Sequence, residues 1–180
     1  SARLILHENI YDDFKKAFVE KVQAIKIGDP LEEGTQHGAT VSEDHMNKVL
    51  SYINLAKEEG GTILCGGHRY IVDGRCESGY FIAPTVIEGL PHTCRTNQEE
   101  IFGPVVTLMT FKTEDEVVDM TNRTEYGLAS SVWTQDQDKA DRVAARLQSG
   151  IVWQNCWNLR DLDTPFGGVK KSGVGREGKR

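Results

Sequence analysis

The chain has 180 residues, 38% hydrophobic and 27% charged, the make-up of a soluble folded domain large enough for its own core. A net charge of -6 argues against nucleic acid or an anionic membrane as partner, and no apolar run approaches the roughly 20 residues that span a bilayer. Cys65, Cys76, Cys94 and Cys156 form no C-x-x-C pair, so no metal site or dithiol motif is expected, and reduced thiols in the cytoplasm fit this usage.

Arg3 to His7 reads as a short strand, not a secretory leader. Asn9 is expected to cap a helix running to about Ile25, with Ile10, Phe14, Phe18 and Val22 recurring every fourth residue. Gly28-Asp29-Pro30 breaks it, and a polar loop follows. Ser42 caps the next helix, whose buried face is Met46, Val49, Leu50, Ile53 and Ala56 and whose stop is Gly60. Thr62 to Cys65 is a strand, Gly66 to Gly79 a polar excursion, and Tyr80 to Val86 extended.

Val105 to Phe111 is a continuous apolar strand. Thr113-Glu114-Asp115-Glu116 is a capping box opening a helix to about Asn122. Leu128 to Trp133 is a strand, Asp138 to Gln148 a helix, and Ile151 to Asn155 the last strand. This alternation predicts an α/β fold: an open, mostly parallel, doubly wound sheet with helices on both faces. Ligands in such sheets gather at the carboxyl ends of strands, which points to the loops after Phe111, Trp133 and Asn155.

Three segments carry candidate chemistry. Glu100 can bind the two hydroxyls of a ribose and Phe102 can press on a nicotinamide ring; the plainer alternative is a helix-terminal acid and a core phenylalanine. Trp153 to Arg160 combines apolar walls with a few polar groups, as small-molecule sites do. Arg160 either grips a carboxylate or pairs with Asp161 or Asp163. Cys156 lacks a neighbouring base and reads as a buried inert cysteine. The G-x-G-x-x-G at Gly173 to Gly178 lacks the strand before it and helix after it that a dinucleotide fingerprint needs, so it reads as a turn.

Glu99-Glu100-Ile101-Phe102-Gly103-Pro104, then Pro165-Phe166-Gly167-Gly168 and Ser172-Gly173-Val174-Gly175-Arg176-Glu177, resemble the aldehyde dehydrogenases in order and separation. Lys48-Val49-Leu50-Ser51-Tyr52-Ile53 and Tyr126-Gly127-Leu128-Ala129 add to the likeness, which covers Ala2 to Glu177. Asn155 to Leu162 before Pro165 looks most like the 2-aminomuconate and 2-hydroxymuconate semialdehyde dehydrogenases. The resemblance implies a cysteine thiolate that attacks an aldehyde, hydride transfer to NAD or NADP, and hydrolysis of a thioester by glutamate-activated water. It implies that residues 1–180 are a catalytic-domain fragment, with the nucleophile and base upstream of Ser1, and the cofactor-binding domain and C-terminal oligomerisation strand absent. Such a piece would be inactive alone, while the whole enzyme would be a homodimer or homotetramer. By position, Glu100 would bind the nicotinamide ribose, Phe102 flank the nicotinamide and Lys48 reach the adenosine ribose. Arg160 would hold a semialdehyde's far carboxylate, and Phe166 would line the channel. Trp157 with Phe166 could instead cradle a cation, as for betaine or amino aldehydes. A non-catalytic scaffold that keeps the fold is the remaining reading.

Overall fold

The computed structural model describes residues 2–178. These form two compact units, one ending at Phe111 and the other beginning at Lys112. The first unit contains β1 (Ala2–His7), α1 (Tyr11–Gln23), α2 (Glu43–Glu58), β2 (Thr62–Cys65), β3 (Arg69–Tyr70), β4 (Phe81–Ile82), β5 (Thr85–Glu88), α3 (Arg95–Gln98) and β6 (Val105–Phe111). Its main sheet has the order β1-β6-β5-β2. The pairs β1–β6 and β5–β6 are parallel, and β2 closes one edge antiparallel to β5. The sheet is thus α/β and mostly parallel, with the single antiparallel edge strand that such sheets often carry.

Strand alternation puts helices on both faces. Ile87 joins the α2 residues Met46, Val49, Ile53 and Ala56 in the core, together with Ile82, Ile101 and Val105. The next residue, Glu88, points the other way. It accepts hydrogen bonds from Tyr11 Oη at 2.7 Å and Lys15 Nζ at 3.0 Å, both on α1. Burial of each α2 side chain stabilises the fold by about 1.5–3 kcal/mol for the larger ones.

The two helices follow their sequence signals unequally. Ser42 Oγ accepts from His45 N at 3.2 Å and caps α2 as expected. Asn9 does not cap α1: it lies in a short 3-10 turn, where its own N–H goes to His7 Nδ1. The α1 stripe is shallower than its periodicity suggests, because no α1 residue is fully buried and Ile10 is 53% exposed. Phe14 and Phe18 stack on each other at 5.5 Å instead of entering the core.

The second unit contains α4 (Glu114–Asn122), β7 (Tyr126–Gly127), β8 (Ala129–Val132), α5 (Gln137–Ala144), β9 (Ile151–Gln154) and β10 (Val169–Lys170). β8 and β9 pair in parallel, while β7 and β10 form an antiparallel pair that the sequence pattern did not show. The capping box opens α4, but Glu116 bonds back to Lys112 N rather than Thr113 N. Helix α5 stops at Ala144, short of the expected Gln148. The side chain of Asn122 takes Arg146 O and Gln148 N, which a continuing helix would have used. Arg142 forks onto Glu114, and Arg146 reaches Asp115, tying α5 to α4.

Candidate functional site

One stripe of α2 organises the first candidate site. His45, Lys48 and Tyr52 stand at i, i+3 and i+7, so they share a face of the helix beside the buried stripe of Met46, Val49 and Ile53. Each holds a different part of the segment after α3. Tyr52 Oη donates to Glu99 Oε2 at 2.6 Å. Lys48 Nζ donates to Glu100 O at 3.2 Å, and His45 Nε2 meets Phe102 O at 2.6 Å. Lys48, Glu100 and Phe102, read separately from the sequence, therefore come together. His45 and Tyr52 were missed; the polar i, i+3, i+7 spacing beside the apolar face was the signal that could have found them.

The core alternative for Phe102 does not hold. Its neighbour Ile101 is fully buried, and Phe102 turns outward with 71% of its surface exposed. Its backbone sits at φ 59°, in the left-handed region that costs an L residue roughly 1–2 kcal/mol. Glu100 is also exposed. Its carboxylate offers acceptors only, which suits hydroxyl donors such as those of a ribose. Lys48 uses one of its three ammonium donors on Glu100 O, which leaves donors for a ligand. These groups fit a nucleotide cofactor: an outward aromatic face, an acceptor carboxylate and a cation.

Glu99 anchors the segment electrostatically. Hydrogen bonds from Arg95 and Tyr52 hold its carboxyl down at about 2 from an ordinary 4.5. The network contributes fully above the ordinary carboxylate value and is lost as pH falls toward 2. Glu99→Gln should therefore flatten the loss of stability between pH 4.5 and about 2, followed by urea unfolding across that range. The effect should be small, since the Arg95 and Glu99 side chains are each more than a third exposed and screened. An identical slope in parent and variant would show that the network adds nothing to folding.

The second candidate site lies in the second unit. A cleft of about 370 Å³ is lined by Ile151, Val152 and Trp153 of β9 and by Leu159, Arg160, Asp161, Thr164 and Phe166. Leu159 to Phe166 belong to the segment after β9, one of the three places the topology indicated, but the strand itself lines the cleft with its first three residues rather than with its carboxyl end. The Arg160 guanidinium lies over the Phe166 ring, 4.1 Å from its centroid. Trp157 is 64% exposed and meets Trp153 edge-on at 5.1 Å.

The loop is tied down at three points. Asn155 Oδ1 accepts from Thr134 N, Ser131 Oγ donates to Cys156 O, and Trp153 Nε1 donates to Leu159 O, all at 2.8–2.9 Å. Asn155 and Asn158 supply the left-handed turns, at φ 53° and 55°. Cys156, expected to be buried, is only partly so.

The closing motifs fold onto each other. Phe166 and Glu177 exchange two backbone hydrogen bonds of 2.7 Å, and Arg176 Nη1 donates to Gly168 O. The G-x-G-x-x-G stretch forms turns here, not a strand-to-helix phosphate loop.

Comparison with known proteins agrees with these motifs. The chain is 45% identical over 98% of its length to an aldehyde dehydrogenase of Rhodospirillum rubrum, of which it covers 35%. It is 43% identical over its whole length to the 2-aminomuconic semialdehyde dehydrogenase of Mus musculus, of which it covers 37%. Its fold superposes with a TM-score of 0.94, at 40% identity, on the crystal structure of betaine aldehyde dehydrogenase from Staphylococcus aureus in complex with NAD+; the match covers 99% of this chain and 35% of that one. The chain thus spans about a third of the length of the relatives it matches. With the aldehyde dehydrogenase family profile matching residues 1–180, the chain belongs to the aldehyde dehydrogenase family.

Proposed function

We infer that this chain is the C-terminal part of the catalytic domain of an NAD-dependent aldehyde dehydrogenase, with NADP as the alternative cofactor, acting on a semialdehyde that carries a carboxylate. The observation that carries the reading is Phe102, an exposed phenylalanine held in a left-handed conformation beside Glu100 and Lys48. A fold gains nothing from an apolar ring kept outside at a conformational cost, whereas a cofactor site gains a flat surface. Glu100 would accept the nicotinamide-ribose hydroxyls, Phe102 would flank the nicotinamide, and Lys48 would reach the adenosine ribose. Bound there, NAD would take the hydride released as an aldehyde becomes an acid. The nucleophilic cysteine and the general base would come from the longer enzyme, so the isolated chain would turn nothing over. A homodimer or homotetramer in the cytoplasm completes this reading. Among the described residues no helix is long and apolar enough to cross a membrane.

Glu100→Gln in the full-length enzyme should raise the Kd for NAD+ about tenfold, since bonds to a charged acceptor are each stabilised by about 1.5–3 kcal/mol. Isothermal titration measures it, and an unchanged Kd sinks the assignment of Glu100.

Arg160 supports the anionic substrate. The reading as a betaine or amino-aldehyde dehydrogenase would place a cation against Trp157 and Phe166, but Phe166 already carries the Arg160 guanidinium, which repels a second cation. A non-catalytic scaffold is separated from both by the codons upstream of Ser1: a reactive cysteine a few positions before Ala2 favours the enzyme, and its lack favours the scaffold.

A further inference from the structure

The Phe102 turn needs something to hold it. A non-glycine residue at φ 59° relaxes toward the ordinary extended or helical regions unless its surroundings resist. Two restraints act below the ring. Ile101 is fully buried, and Gly103 lies so close to α2 that a Cβ there would come within 2.5 Å of Val49 Cγ2. Those contacts fix the chain on either side of Phe102, but not the orientation of the peptide between Phe102 and Gly103. The His45 imidazole is aimed at that peptide's carbonyl, at 2.6 Å. A carbonyl only accepts, so the bond requires the proton on Nε2. The His45 ring also lies 6.0 Å from the Phe102 ring at 34°, close enough to limit its swing. His45 is itself well anchored: it is half-buried on α2, one turn from the Ser42 cap that its own N–H completes.

We propose that His45 is the positioning residue that keeps Phe102 in its outward, left-handed conformation. It acts through the Phe102 carbonyl rather than by touching the ligand. The inference rests on the reading of Glu100 and Phe102 as cofactor contacts. With the bond in place, the ring is presented ready-made, and the cofactor does not have to select a minor conformer. Without it, the 102–103 peptide is free to rotate, and the ring stands in place only part of the time. Glutamine at position 45 can offer an amide N–H to the same carbonyl, whereas alanine or leucine cannot.

The experiment is a double-mutant cycle in the full-length enzyme, reading the Kd for NAD+ and the single-turnover rate of hydride transfer. His45→Ala should weaken NAD+ binding and slow hydride transfer, each about five- to twentyfold, at a near-parental thermal midpoint. His45→Gln should restore both to within about threefold. In a Phe102→Ala background, His45→Ala should add no further loss, because the residue it acts through is gone. A loss that persists in that background overturns the proposal, since His45 would then touch the cofactor itself. So does a His45→Ala enzyme with parental constants while Phe102→Ala is impaired. If Phe102→Ala and Glu100→Gln both bind NAD+ as the parent does, the cofactor reading itself fails, and this proposal falls with it.

Discussion

Replacing Arg160 by alanine in the full-length enzyme is expected to lower kcat/KM for a carboxylate-bearing semialdehyde by about 10- to 150-fold, while a neutral aldehyde of similar length changes little. The range is that of one charge-assisted interaction, about 1.5–3 kcal/mol. The upper end requires a forked pair in a cleft emptied of water, and the cleft beside Trp153 and Phe166 has the apolar walls for it. Lysine should recover only part of the loss, because it is a point charge and does not stack on Phe166 as the planar guanidinium does. Asp161 lines the same cleft and repels an anion there, so Asp161→Asn should move the preference the other way, raising kcat/KM for the anionic substrate severalfold. An Arg160→Ala enzyme that keeps its preference for the acidic semialdehyde would refute the carboxylate role.

What the sequence revealed depends on the range of the interaction. Helix α2 was legible from end to end, because its cap, its apolar stripe and its glycine stop are all local. Strand β6 was legible because a run of seven largely apolar residues has few other uses. The short pairs were not: β7 with β10, and β3 with β4, are two residues long and exist only because distant chain meets them. Helix α5 was overextended for the same reason, since the Asn122 side chain that ends it comes from another helix. At the cofactor-like site, the outward residues could be chosen only by resemblance. Of their partners on α2, Lys48 was chosen by the same resemblance; His45 and Tyr52 were passed over, because hydrophobic periodicity reports the buried face and the polar stripe beside it has to be read separately. Arg160 illustrates the limit at the other site. Whether it met Asp161, Asp163 or a ligand was undecided by spacing, and the contact that emerges is with Phe166, an aromatic six residues on.

Gly150→Ala is expected to be the most damaging single-methyl change in the second unit. An alanine Cβ at this position would lie 1.7 Å from the backbone oxygen of Gly167. The obstacle is main chain, so no rotamer change relieves it, and either β9 or the 167–168 segment must move. Gly167 cannot yield freely, because a Cβ of its own would stand 2.1 Å from Gly175 O, and Phe166 is pinned to Glu177 by two hydrogen bonds. Main chain thus passes close to main chain at Gly150 and again at Gly167, which gives these two glycines a physical reason. Overpacking a site that can relax costs about 1–3 kcal/mol, and this one should exceed that range. Hydrogen exchange should show protection lost in β8 and β9 and retained in β5 and β6, whose sheet belongs to the other unit. Gly175→Ala is the control, since nothing lies within 4 Å of its added Cβ; its stability should stay within about 0.5 kcal/mol of the parent. Because Ile151 directly follows Gly150 and lines the Arg160 cleft, the damaged variant should also lose its preference for the anionic aldehyde. A Gly150→Ala protein that unfolds at the parental denaturant concentration would mean that these stretches of main chain are not in contact, and the wall of the Arg160 cleft would then have no fixed support.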